Sequence, residues 1–209
     1  MPRGFFITIE GGEGTGKSTQ AKRLAAALAP RVGEVVRTRE PGGSPGAEAI
    51  RALLVTGEAD RWSAQTETLL MYAARRDHLE RVIEPALSRG AWVVCDRFHD
   101  STRAYQGAAG GADPALIKCL EDHVVGALTP DLTLILDVPV AEGLARAGGR
   151  GEGEDRFESK GLAFHEQLRQ AFLEIALREP QRCAVVDVTD AVDVVAANIL
   201  DIVERRLAP

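Results

Sequence analysis

The residues most able to do chemistry lie in one run near the start of the chain. Gly11-Gly12-Glu13-Gly14-Thr15-Gly16-Lys17-Ser18 satisfies the pattern G-x-x-x-x-G-K-[ST] at every position, with Thr19 adjoining it. The glycines let several backbone N–H groups turn inward as a nest for an anion, and a helix starting at Lys17 would add its unpaired amides and positive dipole end. Lys17 supplies a mobile cation for β- and γ-phosphates, and Ser18 a neutral oxygen suited to a Mg²⁺ ion bridging them. The run therefore predicts a cradle for a nucleotide triphosphate such as ATP.

A second group would handle charge on the transferred phosphate. Asp96 ends an apolar run and is followed at once by Arg97, so the carboxylate can hold Mg²⁺ through water or pair with Lys17. Asp137, also at a strand end, is its rival. Joining a phosphoryl group to an anionic acceptor brings two phosphates together, which calls for cations on both sides and exclusion of water. Arg39, Arg51 and Arg97, with Arg146, Arg150 and Arg156 in a glycine-rich stretch, are the candidates, because a guanidinium grips phosphate oxygens with two parallel hydrogen bonds. Neither an N-K-x-D sequence nor a D-x-x-G loop after a strand is present, so a guanine-nucleotide switch is disfavoured.

These residues need a scaffold, and the hydrophobic pattern describes one. Short apolar runs at residues 4–9, 32–38, 91–96, 132–137 and 183–188 predict five strands. Helical patterns cover 17–29, 46–55, 64–84, about 113–125, 140–147, 159–177 and 190–206, with Asp113 as N-cap ahead of Pro114 and with Pro85 bending or shortening the third. Strands buried on both faces and separated by helices imply a parallel sheet with right-handed crossovers and helices on both sides. The expected fold is α/β: a three-layer P-loop NTPase arrangement around a five-stranded parallel sheet, with a short lid at about 146–158, where four glycines fall within residues 148–155. The 209 residues suit one domain spanning 1–209.

Composition excludes several other classes. With 25 basic and 31 acidic residues the net charge is −6, which argues against a broad face for nucleic acid. Apolar runs of about five residues are far below the ~20 that a membrane helix needs. The N-terminal residues reach Glu10 before an apolar signal region can develop, so the cytoplasm is the expected location. Cys95, Cys119 and Cys183 are odd in number and scattered, and are read as reduced, small core residues.

Beyond the cradle, the chain resembles the thymidylate kinase (dTMP kinase) family of nucleoside monophosphate kinases. Thr38-Arg39-Glu40-Pro41-Gly42-Gly43 is similar to its TREPGG segment, Asp96-Arg97 with Ser101-Thr102-x-Ala104-Tyr105-Gln106 to its DR…ST-x-AYQ segment, Pro130-Asp131-Leu132-Thr133 to PDLT, and Asp155-Arg156-Phe157-Glu158 to DRxE in the lid. The resemblance implies ATP-dependent phosphorylation of dTMP. It implies that Glu13 approaches the deoxyribose 3′-hydroxyl, and that Arg39, Arg51 and Arg97, walled by Glu40 and Pro41, surround the acceptor phosphate. Arg75 would donate to a thymine carbonyl, Thr102 and Gln106 with Ser101 nearby would bond the base, and Tyr105 would lie against the sugar and disfavour a 2′-hydroxyl. Where many members stack Phe on the base, this chain has Met71, on one helix face with Arg75 and His78. Gly14 stands where some relatives carry Arg, which leaves catalytic charge to Arg146, Arg150 and Arg156 of the lid. A homodimer is implied in the same way. Another acceptor, such as dUMP, CMP or AMP, is the alternative, and an ATP-dependent switch is a more distant one.

Overall fold

The structure, a computed structural model, describes residues 3–58, 60–148 and 160–207. Five parallel strands, β1 (Phe6–Gly11), β2 (Val35–Arg39), β3 (Trp92–Asp96), β4 (Leu132–Asp137) and β5 (Cys183–Asp187), form one sheet in the order β2-β3-β1-β4-β5. The helices are α1 (Lys17–Val32), α2 (Pro45–Val55), α3 (Ala64–His78), α4 (Glu84–Ser88), α5 (His99–Thr102), α6 (Pro114–Val124), α7 (Val140–Ala147), α8 (Leu162–Arg178) and α9 (Val192–Leu207). None of them is long and apolar enough to cross a membrane.

Alternation along the strands fills three buried clusters on the two faces of the sheet. Ile7 and Ile9 of β1, with Val94, Leu132 and Leu134, pack beneath Leu24 and Leu28 of α1 and Val195, Ile199 and Val203 of α9. Phe6, Val93 and Cys95 face the other way, against Leu79, Ile83 and Leu87, while Ile135 and Cys183 meet Leu168 and Phe172 of α8. Each fully buried Leu, Ile or Phe contributes about 1.5–3 kcal/mol through the area removed from water.

The expected strands and helices are present with shifts at their ends, and two readings need correction. Pro85 does not shorten its helix. The preceding turn, Leu79–Ile83, widens to π geometry, with Glu84 N–H donating to Leu79 O, so the missing proline N–H is accommodated and the helix continues to Ser88. Cys119 is exposed on α6, so only Cys95 and Cys183 are small core residues. Residues 99–109, not assigned from sequence, are helical: α5 runs into a π-helical stretch, Arg103–Ala109. The N-cap at Asp113 holds, its carboxylate accepting from Ala115 N–H at 2.8 Å. Most of the expected lid, with Arg150 and Arg156, lies outside the described residues.

Order β2-β3-β1-β4 places the loops after β1 and β3 side by side at the carboxyl ends of the strands, where such sheets form a crevice. Ile9 pairs with Asp96 across that edge, so the glycine-rich loop and the Asp96-Arg97 turn are neighbours.

Candidate active site

The loop between β1 and α1 has the features an anion site requires. Gly16 occupies the N-cap with φ 84°, a left-handed conformation natural to glycine, and no side chain caps the helix, so the opening amides of α1 keep their donors. Lys17 curls into the loop: its Nζ donates to Gly12 O at 2.5 Å and to Thr15 Oγ1 at 3.3 Å. Burial, then the Arg97 charge, push its pKa down to about 8 against the opposing pull of Glu13, Asp96 and Glu10. Thr19 is exposed one residue beyond Ser18.

Gly14 is fixed by a close approach. With φ 70°, a Cβ there would lie 1.8 Å from the Gly143 carbonyl oxygen of α7, and a Cβ on Gly143 would lie 2.6 Å from Glu13 O. Backbone meets backbone, so no side chain fits at position 14, and an arginine there is sterically excluded.

Ser18 Oγ donates to Asp96 Oδ2 at 2.5 Å. The pair sets a hydroxyl and a carboxylate, both hard oxygen donors, beside the phosphate nest, which fits Mg²⁺. Asp137, the rival carboxylate, is held instead by Arg169 at 2.7 and 2.8 Å.

Arg97 joins this half of the site to the other. It has φ 68°, alone among the described non-glycine residues in the left-handed region. Its guanidinium donates to Gly11 O at 3.0 Å, Ser101 Oγ at 3.3 Å and Glu13 Oε1 at 3.0 Å, and lies 4.8 Å from the centre of the Tyr105 ring. Tyr105 also donates to Glu13 Oε1, at 2.6 Å. Burial would raise the Glu13 pKa, but the Arg97 and Lys17 charges and the Tyr105 hydroxyl outweigh it and hold the carboxylate down at about 2.

A buried polar wall stands alongside. Arg75 Nε donates to Glu40 Oε2 at 2.7 Å and Nη2 to Phe98 O and Thr102 Oγ1, both at 3.1 Å. Arg75 is 2% exposed, yet its Nη1 has no hydrogen-bond partner. A buried unpaired guanidinium N–H is expensive, and a ligand oxygen would satisfy it. Glu40 also binds His78 Nδ1 at 3.0 Å, and His78 Nε2 meets Thr38 Oγ1 at 2.7 Å. Because a carboxylate only accepts, Nδ1 carries the proton. Burial opposes ionisation of Glu40, but Arg75 and His78 hold its pKa below the usual carboxylate range.

The remaining sequence candidates fall in different places. Ser101 and Tyr105 adjoin Arg97. Gln106 donates to Glu67 Oε1 at 2.7 Å, and half-buried Met71 lies one turn before Arg75. Arg51 donates to Pro41 O at 2.6 Å, while exposed Arg39 pairs with Glu48 at 3.1 Å. Arg146 donates to Val188 O at 2.9 Å and pairs with Glu142, so in this structure it is turned toward the end of β5. Arg150 and Arg156 lie outside the described residues.

Sequence reasoning missed the supports. Glu10, fully buried at the end of β1, accepts from Phe98 N at 2.8 Å, Ser101 N at 3.3 Å and Ser101 Oγ at 2.6 Å. Burial, then the Asp100 charge, push its pKa up to about 8. Asp100, also fully buried, accepts from Arg182 at 2.7 and 3.1 Å and from Arg103 at 3.2 Å, which anchors the start of α5. The available signal was a carboxylate at the end of an otherwise apolar strand, Phe6–Gly11.

Comparison with known proteins follows the same outline. The family model described as Thymidylate kinase matches residues 9–199. A thymidylate kinase of Caulobacter vibrioides is 65% identical over 207 residues, covering 99% of both chains. One of Afipia carboxidovorans is 56% identical over 208 residues, covering 99% of this chain and 91% of that protein. The crystal structure of thymidylate kinase from Ehrlichia chaffeensis superposes with a TM-score of 0.79 at 35% identity, covering 97% of this chain and 100% of that one.

Proposed function

The chain belongs to the thymidylate kinase family, and from that premise we propose how its residues divide the transfer of a phosphoryl group from ATP to dTMP, giving ADP and dTDP. The reaction forms no covalent enzyme intermediate, so the protein's work is to position two anions and stabilise charge between them.

On the donor side, the amides at the opening of α1 and the Lys17 ammonium would hold the ATP phosphates. Lys17 can leave Gly12 O and Thr15 Oγ1 for a stronger, charged acceptor. Ser18 and Asp96 would hold Mg²⁺. The ion supplies neutralisation of charge on the β- and γ-phosphate oxygens when bound.

On the acceptor side, Arg97 would turn from Glu13 to the dTMP phosphate, with Arg51 and Arg39 beside it. Its raised pKa keeps it cationic: burial opposes the charge, but Tyr105 and Glu13 outweigh it. Glu13, ionised at neutral pH, would accept from the sugar 3′-hydroxyl, while the Tyr105 ring covers the place a 2′-hydroxyl would need. The unpartnered Nη1 of Arg75 would donate to a thymine carbonyl. Thr102, Gln106 and Ser101 would bond the base, and Met71 would lie against its ring. The lid arginines Arg146, Arg150 and Arg156 would complete the cation set and exclude water. A homodimer, action in the cytoplasm and a single kinase unit over residues 1–209 complete the proposal.

One observation carries this reading: Glu13 of the donor loop shares a single oxygen, Oε1, between Arg97 and Tyr105 of the acceptor segment. ADP release measured over dTMP, dUMP, CMP and AMP tests it. The highest kcat/KM is expected for dTMP, and a preference for CMP or AMP would overturn the substrate assignment.

A further inference from the structure

The acceptor segment Asp96 to Gln106 depends on one backbone feature, the left-handed turn at Arg97. An arginine holds that conformation only where its surroundings over-determine it. β1 supplies the constraint from both sides of the residue. Arg97 N–H donates to Ile9 O at 2.9 Å, and the next amide, Phe98 N–H, donates to Glu10 Oε1 at 2.8 Å. Glu10 also takes Ser101 N–H at 3.3 Å on Oε1 and the Ser101 hydroxyl at 2.6 Å on Oε2. The same Ser101 hydroxyl oxygen then accepts from Arg97 Nη1 at 3.3 Å. A closed circuit results: Glu10 to the Phe98 and Ser101 backbone, Ser101 to the Arg97 guanidinium, and Arg97 back to the carbonyl of Gly11, the residue after Glu10.

We propose that Glu10 is the positioning residue for the acceptor phosphate: its buried carboxyl group clamps the turn after β3 and thereby aims Arg97. The assignment deepens the reading of Arg97 as an acceptor-phosphate cation and rests on it. Glu10 is fully buried, so it acts through Arg97 and Ser101 and not by touching substrate. Its partners are two amides and a hydroxyl of a single turn, the arrangement of an external cap that fixes backbone direction. The clamp lies on the helix-covered face opposite Ile7 and Ile9, and the donor nest begins one residue later, so the element that presents ATP also sets the angle of the acceptor arginine.

Steady-state kinetics of the full chain, with ATP and dTMP varied separately, test the proposal. Glu10→Ala is expected to raise KM for dTMP at least tenfold while KM for ATP stays within twofold. Arg97→Ala should do the same, and the double variant should be no worse than Arg97→Ala alone within threefold, because both changes remove one device. Should Glu10→Ala fail to fold, Glu10→Gln decides. It keeps an acceptor for the two amides but sets an amide nitrogen against the Ser101 hydroxyl in place of the second carboxyl oxygen, and should raise KM for dTMP at least threefold with KM for ATP unchanged. A Glu10 variant with unaltered KM for dTMP, a parallel rise in both KM values, or effects that multiply in the double variant would overturn the proposal. Arg97→Ala with unaltered KM for dTMP would remove the reading of Arg97 and the clamp with it, whereas impaired Arg97→Ala beside native-like Glu10 variants would remove Glu10 alone.

Discussion

Arg97 Nη2 donates to Glu13 Oε1 at 3.0 Å, so the guanidinium that follows β3 is paired with a carboxylate of the loop between β1 and α1. Both side chains are mostly buried, at 18% and 17% exposure. Glu13 thus occupies the cation that an incoming phosphate would claim. Removing that cation should cost about 2.7–4 kcal/mol of transition-state stabilisation. Arg97→Ala is expected to lower kcat/KM for dTMP by a factor of about 10²–10³, and Arg97→Lys to recover part of it, since an ammonium restores charge but not the fork. Native-like kinetics in Arg97→Ala would contradict the assignment.

Lys17 carries a pKa lowered to about 8 by burial and by Arg97. Donor phosphates add negative charge beside it and should raise that value. Between the free and bound values the free enzyme is deprotonated and the complex protonated, so ATP binding near pH 9 should take up a proton. Calorimetry in buffers of different ionisation enthalpy measures the uptake. It should vanish in Lys17→Ala, whose turnover should also fall at least a hundredfold in a protein that stays folded; uptake that persists in the variant would assign it elsewhere.

The contact between Gly14 and Gly143 makes the donor loop sensitive to α7. A methyl on Gly143 would meet Glu13 O at 2.6 Å and push the loop away from its helix. A misplacement of about 1 Å at a reacting site can lower rates by about 10²-fold. Gly143→Ala should lower kcat/KM for ATP by roughly ten- to a hundredfold with far-ultraviolet circular dichroism unchanged. Kinetics like those of the parent would show that the loop relaxes freely.

Asp100 and Arg182 form the anchor beneath α5, with nitrogen–oxygen distances of 2.7 and 3.1 Å around a fully buried carboxylate. Burial raises the Asp100 pKa, but His99, Arg182 and Arg103 reverse the direction and keep it ionised. Arg182→Ala leaves that charge short of its best partner and should destabilise the fold by about 3–5 kcal/mol. Urea unfolding followed by fluorescence checks this; a change below about 1 kcal/mol would mean that Arg103 suffices.

The sheet was legible because its three central strands, β3, β1 and β4, are buried on both faces. Leu132–Asp137 and Trp92–Asp96 read as apolar runs whatever their neighbours. The turn from β1 into α1 was legible because its glycines, Lys17 and Ser18 fall in a single stretch. The helical stretch 99–109 was not, because its buried positions are largely polar: His99, Asp100, Thr102 and Gln106 are each at most 2% exposed, so no apolar period marks the face that packs inward. Glu10 and Arg182 escaped for a related reason. Their meaning lies in partners 88 and 82 residues away, and no spacing in the chain encodes those meetings. The turn of Arg146 toward Val188 likewise depends on where β5 ends.

In the proposed reaction two phosphates meet head to head, one at the opening of α1 and the other under guanidinium groups led by Arg97. A crystal structure of the chain with a non-hydrolysable ATP analogue, Mg²⁺ and dTMP tests it most directly. The donor phosphates are expected on the amides around Gly16 and Lys17, with Arg97 swung from Glu13 to the dTMP phosphate and Arg75 Nη1 on a thymine carbonyl. A dTMP phosphate bound away from Arg97, with Arg97 still paired to Glu13, would contradict it.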